Sequence, residues 1–181
     1  MKNLEPKKNF FKYSIGLLIV LIVRLLPHPP NIEPIMATMM PFSKKWGRLS
    51  GVAFTLVAIL GFDLITGTIG TWSIATAGTY GLIAYLSGIF FERKESSRRN
   101  YVLFAVVATL LYDSITGIGV GVVFFDQSFA ITAIAQIPFT LAHLAGNIVL
   151  SAVISPALYK WVIENPKMET NHILQSIGFA R

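Results

Sequence analysis

The chain has 181 residues, of which 54% are hydrophobic and only 13% charged, with a mean hydropathy of +0.62. Soluble domains carry about a quarter charged residues, so this composition excludes an ordinary soluble domain and points to an integral membrane protein. The net charge of +6 would suggest nucleic acid in a soluble chain. Here the basic residues read as topology signals beside membrane helices, and no nucleic-acid partner is expected. Without cysteine, neither disulfides nor thiolate metal sites are available.

A bilayer-spanning helix needs about 20 mostly apolar residues. Residues 1–12 form a basic N-terminal segment. The apolar run behind it has no small-residue cleavage site, so a retained first helix is expected rather than a cleaved signal peptide. That helix is predicted over residues 10–26, with Lys12 snorkelling toward the headgroups, and it stops at Pro27-His28-Pro29-Pro30. A short apolar piece, residues 32–42, follows, with Pro34 and Pro41 inside it. About twelve helical residues cover only about 18 Å of a roughly 30 Å core, so this piece reads as a short span or a re-entrant segment. Four further helices are predicted over residues 49–69, 76–91, 101–120 and 139–163, the last with Pro156 as a kink or stop. Residues 92–100 are a charged loop, residues 121–138 read as an external connection, and residues 166–181 as a polar cytoplasmic tail.

Charge chooses between five spans and six. With six spans and a cytoplasmic N-terminus, the basic residues outside spans fall into four cytoplasmic groups: Lys2, Lys7, Lys8 and Lys12; Lys44, Lys45 and Arg48; Arg93, Lys94, Arg98 and Arg99; and Lys160, Lys167 and Arg181. Only Arg24 is left toward the outside, as the positive-inside rule requires. The expected fold is therefore an all-α membrane protein with six transmembrane helices, both termini inside, in a domain over residues 13–165.

Residues 62–70 run Phe-Asp-Leu-Ile-Thr-Gly-Thr-Ile-Gly, and residues 112–119 run Tyr-Asp-Ser-Ile-Thr-Gly-Ile-Gly. Arg48 and Arg98 stand at the same separation as Asp63 and Asp113, which predicts a parallel repeat of helical hairpins, helices three–four and five–six. Fifteen residues from each Arg to its Asp put both carboxylates about 22 Å above the cytoplasmic edge. A lipid-facing carboxylate at that depth is costly, so each should face the bundle interior or a water-filled cavity. Ligand binding and structural capping stand as equal readings of Asp63 and Asp113. For Thr66 and Thr116 the better reading is a bond back into their own helix. The glycine after each Thr can end its helix.

Other polar residues join these at the outer end. Asn31 and Glu33, in the stiff Pro-rich first loop, suit a lid or specificity element, against the reading of a plain connector. Gln127, among Phe124, Phe125 and Phe129, suits a flat, partly polar ligand, and Trp72 has the same character. Interfacial aromatic belts are the competing reading for both segments. His143 and Asn147, four apart on the last helix, share an inward face. With no second His at metal spacing no metal is predicted, and no cofactor is expected. Ala77, Gly81, Ala84 and Gly88 form a small-residue stripe for close helix packing, with a helix of the same chain as the favoured neighbour. The chain has no phosphate loop, no His-Glu-x-x-His and no Gly-x-Ser-x-Gly, so an enzyme is not expected.

Six short helices, a Pro-Asn-containing external first loop and Asp-x-Ile-Thr-Gly at the outer ends of helices three and five resemble the substrate-binding S components of energy-coupling factor (ECF) transporters, over roughly residues 10–165. The Arg-Leu-Leu-Pro-His-Pro-Pro-Asn-Ile-Glu-Pro stretch is also similar to a family of small bacterial membrane proteins associated with that group. The resemblance implies a multi-pass protein of the bacterial cell (inner) membrane that captures a vitamin or similar micronutrient in an outward-facing pocket. It also implies docking on a membrane coupling subunit with two cytoplasmic ATPases. One departure stands out: several S components dock through Ala-x-x-x-Ala on helix one, and residues 14–26 here contain no alanine. The competing reading is a non-transporting cell-envelope scaffold.

Overall fold

Inside a bilayer every backbone N–H and C=O must be satisfied within the protein, which leaves helices or closed barrels as spanning structures. The computed structural model describes residues 6–27 and 32–178, and the regular elements among them are all helical. They are α1 (Pro6–Leu25), α2 (Ile35–Trp46), α3 (Arg48–Thr66), α4 (Thr71–Glu92), α5 (Arg98–Phe125), α6 (Phe129–Ile163) and a short α7 (Thr170–Ser176). Four of these, α3 to α6, are long and apolar enough to cross a membrane, so the chain is a multi-pass membrane protein. α1 has the length at 20 residues but carries Lys7, Lys8, Lys12 and Arg24, and α2 has only 12 residues.

The short second helix is the centre of the bundle. Every residue from Ile35 to Ser43 is buried, and α2 packs against α3, α4, α5 and α6. Met36, Met39 and Met40 fill the irregular space between those helices, as flexible thioethers do. Pro41 has no N–H, so the Ala37 carbonyl lacks its normal helical donor. The Ser155 hydroxyl of α6 donates to that carbonyl at 2.6 Å. The Ser43 hydroxyl in turn donates to the Ala84 carbonyl of α4 at 3.2 Å. The small-residue stripe on α4 packs within the same chain: a Cβ on Gly88 would lie 2.6 Å from the Arg48 Cα, and one on Gly81 3.8 Å from Leu56.

Successive helices alternate in direction, which gathers the basic clusters at one end. There the Arg48 guanidinium donates twice to the Glu92 carboxylate, at 2.8 and 2.9 Å. Lys44 Nζ donates to the Phe91 and Lys94 carbonyls at the end of α4, where a cation suits the helix dipole. Lys12 does not snorkel. It is buried, and its Nζ donates to the Ile163 carbonyl at the end of α6 at 2.9 Å.

Three helix boundaries differ by five residues or more from those read in the sequence. α4 starts at Thr71, so Trp72 lies in its first turn rather than in a loop. α5 runs on to Phe125 through a π-helical turn, Ser114–Gly119, and α6 begins at Phe129. Residues 121–138 are therefore mostly helix, and the break is only residues 126–128. Glycines and Pro138 look like punctuation, but unpaired backbone in an apolar medium costs more than their weak helix propensity.

Candidate functional site

The two Asp-x-Ile-Thr-Gly copies end up in different structures. In the first, α3 stops at Thr66 and Gly67 takes the left-handed conformation, φ 70°, that glycine adopts without strain. The Thr68 N–H closes the cap on the Asp63 carbonyl at 2.8 Å. The Thr66 hydroxyl bonds back to the Phe62 carbonyl at 2.9 Å, the reading favoured for it. In the second copy Thr116 does the same toward Tyr112, at 2.8 Å, but the helix does not end. Gly117 is no cap: a Cβ there would run into the Gln136 side chain of α6, so the glycine permits the close approach of α5 and α6.

Asp113 is held by α6. Its Oδ1 lies 2.8 Å from His143 Nδ1, with both side chains almost wholly buried, while its Oδ2 has no hydrogen-bond partner. The ring of His143 is fixed edge-on between Tyr112 and Phe139, with ring centroids at 5.6 and 6.0 Å. With Nδ1 on the carboxylate, Nε2 remains for a proton or a ligand.

His143 lines a cavity of about 490 Å³ at the end of the bundle away from the basic clusters. Trp72, Tyr80, Tyr112, Phe125 and Phe139 supply its aromatic walls. Glu33, Gln127, Gln136 and His143 supply the polar groups. The volume is that of a small-molecule site, and the lining mixes apolar walls with a few convergent polar groups. The turn between α5 and α6 is shaped to place Gln127. Asp126 is the one described non-glycine residue with positive φ, 52°, a conformation its side chain tolerates. Gln127 then folds over Gly121, where a Cβ would sit 2.8 Å from its Oε1, and that oxygen accepts from the Thr132 hydroxyl at 3.2 Å.

Of the residues singled out in the sequence, Glu33, Trp72, Gln127 and His143 line this cavity together, and Asp113 stands directly behind His143. Asp63 is buried at the end of α3 and lies outside the lining. Asn147 is one turn deeper than His143, fully buried, with Nδ2 donating to the Thr109 hydroxyl at 2.8 Å. Asn31 lies outside the described residues. Glu33 stands 3.6 Å from Arg24, whose guanidinium covers the Phe62 ring at 3.9 Å. Tyr80, Phe139 and Thr116 are cavity residues to which sequence reasoning gave no binding role. Tyr80 carried a signal in hindsight, a phenol in the middle of an apolar helix. Its hydroxyl is buried and unpartnered. Among the described residues no three His, Asp or Glu side chains come together as a metal site.

The fold and cavity define a multi-pass helical membrane protein with a small-molecule-sized chamber near one end. The sequence matches the family of unknown function DUF6580 over residues 5–167, and the chain belongs to that family. No curated protein and no solved structure matches it.

Proposed function

We propose that the protein is a substrate-capture membrane subunit of an ECF-type importer, taking a vitamin or similar small micronutrient into the chamber beside His143. The observation that carries this reading is the chamber itself, about 490 Å³, aromatic-walled and ringed by Glu33, Gln127, Gln136 and His143. In this reading the chain has six spans in the bacterial cell membrane, α1 and α2 included, with the basic end in the cytoplasm and the chamber facing out. Gathering of the basic residues at one end of the bundle supports that orientation. The coupling subunit and two ATPases would bind from the cytoplasmic side, where the chain itself carries no phosphate loop.

Native mass spectrometry of the protein, purified gently from its own membrane, tests the reading. A retained small molecule and co-purifying membrane and ATPase subunits are the expected result. A bare chain with neither refutes it. The two motif copies predict a difference between conservative variants. Asp113→Asn, which replaces the carboxyl partner of His143, should weaken retention of the small molecule by about tenfold. Asp63→Asn should leave it within about twofold, because that side chain does not reach the chamber. Equal losses in the two variants would remove His143 and Asp113 from the site.

A further inference from the structure

The lining of the chamber is lopsided in charge. Among the described residues it contains one carboxylate, Glu33, and neither lysine nor arginine. Arg24, the cation beside Glu33, is not part of the lining and lies over the Phe62 ring instead. Its Nη2 stands 3.6 Å from Glu33 Oε1, longer than a hydrogen bond, so the carboxylate keeps its lone pairs for a ligand.

Hydrogen-bonding capacity leans the same way. An ionised Asp113 can only accept, so the Nδ1 that faces it carries the proton, and Nε2 of the neutral His143 ring keeps a lone pair. Gln136 Nε2 donates to the Thr140 hydroxyl at 3.4 Å, which leaves Oε1 to accept. Glu33, His143 and Gln136 thus all present acceptors. Against them stand two donors, the Trp72 indole N–H and the Nε2 of Gln127, whose Oε1 is taken by Thr132. The Tyr80 hydroxyl, buried and unpartnered, serves either way. The walls favour the same guest. Tyr80 and Tyr112 stand with ring centroids 4.4 Å apart and form one side. Aromatic faces attract a cation held within about 6 Å, and more strongly where water is excluded. A carboxylate or phosphate in that place would meet Glu33 with no lining cation to offset it.

We infer that the chamber selects a flat organic cation bearing N–H groups, of the amidinium or protonated amino-heterocycle class, and rejects carboxylates and phosphate esters. Glu33 takes the charge, His143 Nε2 and Gln136 Oε1 accept the N–H groups, and the aromatic walls hold the flat body. The inference rests on the proposal that the chamber captures a small molecule, and it makes no use of the coupling subunits.

Probes of one shape and different charge test it: benzamidine as the cation, benzamide as the neutral form and benzoate as the anion. Each is titrated at neutral pH into the purified full chain in detergent, with binding read by calorimetry after the heats into detergent alone are subtracted. Benzamidine should bind at about 1 mM, the strength open to so small a fragment. That should be about tenfold tighter than benzamide, with benzoate weaker still. Glu33→Gln should weaken benzamidine about tenfold and leave benzamide within about twofold. Benzoate binding as tightly as benzamidine overturns the inference, as does a lack of benzamidine binding at about 10 mM. Equal effects of Glu33→Gln on benzamidine and benzamide also overturn it, and the order of the three probes on the unaltered chain needs no variant to fold. The importer reading fails separately. A phosphate ester retained together with ATPase subunits in native mass spectrometry would sink the cation class alone, whereas benzamidine selectivity in a chain that co-purifies with no partner would sink the importer alone.

Discussion

Ser155 and Pro41 show how one residue in this bundle repairs what another breaks. The proline deprives the Ala37 carbonyl of its donor, and the serine hydroxyl of α6 replaces that donor. Ser155→Ala therefore leaves a buried carbonyl unpaired and should lower stability by about 1–3 kcal/mol, read as a drop in the thermal unfolding midpoint in detergent. Adding Pro41→Ala restores the helical N–H, so the double variant should regain most of the loss, a coupling that a double-mutant cycle measures directly. The same scale explains why the two Asp residues were indistinguishable in the sequence. Both stand in the same motif at the same depth, and their difference comes from the opposing helix. α6 presents His143 to Asp113, whereas α4 contains no histidine at all. A motif read along one strand of sequence does not report what lies across from it. Glu33, Trp72, Gln127 and His143 were legible because a polar or amphipathic side chain at the end of an apolar run has few other uses. Tyr80 was hidden because a single phenol within an apolar helix looks like packing.

At the scale of elements, the sequence carried the order of the long helices but misplaced several of their ends and left α7 inside a polar tail. Proline and glycine signals are calibrated on water-exposed chain, where a broken helix re-bonds to solvent; in lipid it cannot, and α5 and α6 run through their glycines and prolines. The centrality of α2 was also beyond the sequence. Its brevity made it read as a short span or a re-entrant segment, yet a short apolar helix is well suited to being surrounded by longer ones. Glycines of one type separate into two kinds here. A Cβ on Gly88 meets the α3 backbone, and one on Gly61 meets nothing within 4 Å. Gly88→Ala should destabilise by about 1–3 kcal/mol through overpacking. Gly61→Ala should stabilise by up to about 1 kcal/mol through helix propensity. Thermal unfolding of the two variants side by side checks the contrast.

For the whole molecule, composition alone identified a membrane protein, and the clustering of Lys and Arg identified its two ends. The number of spans was less accessible: α1 carries too many charges and α2 too few residues to qualify by length and composition. The absence of native cysteine makes the orientation measurable. With single cysteines at Ser96 and Ser128, a membrane-impermeant maleimide added to intact cells should label Ser128→Cys and spare Ser96→Cys until the membrane is opened; the reverse pattern would invert the proposed topology. The unequal helix lengths have a physical consequence of their own. α6 has 35 residues and α3 has 19, which makes them about 52 and 28 Å long. Exposed Val123, Phe124, Phe129 and Ile131 crown the longer hairpin with apolar surface. A hydrocarbon layer about 30 Å thick cannot fit both hairpins upright: it must stretch beside α5 and α6, or that hairpin must lean over. Either adjustment costs a fraction of a kcal/mol per ångström. Lipid acyl-chain length thereby becomes a mechanical input, setting how far one hairpin tilts against the other with no solute present.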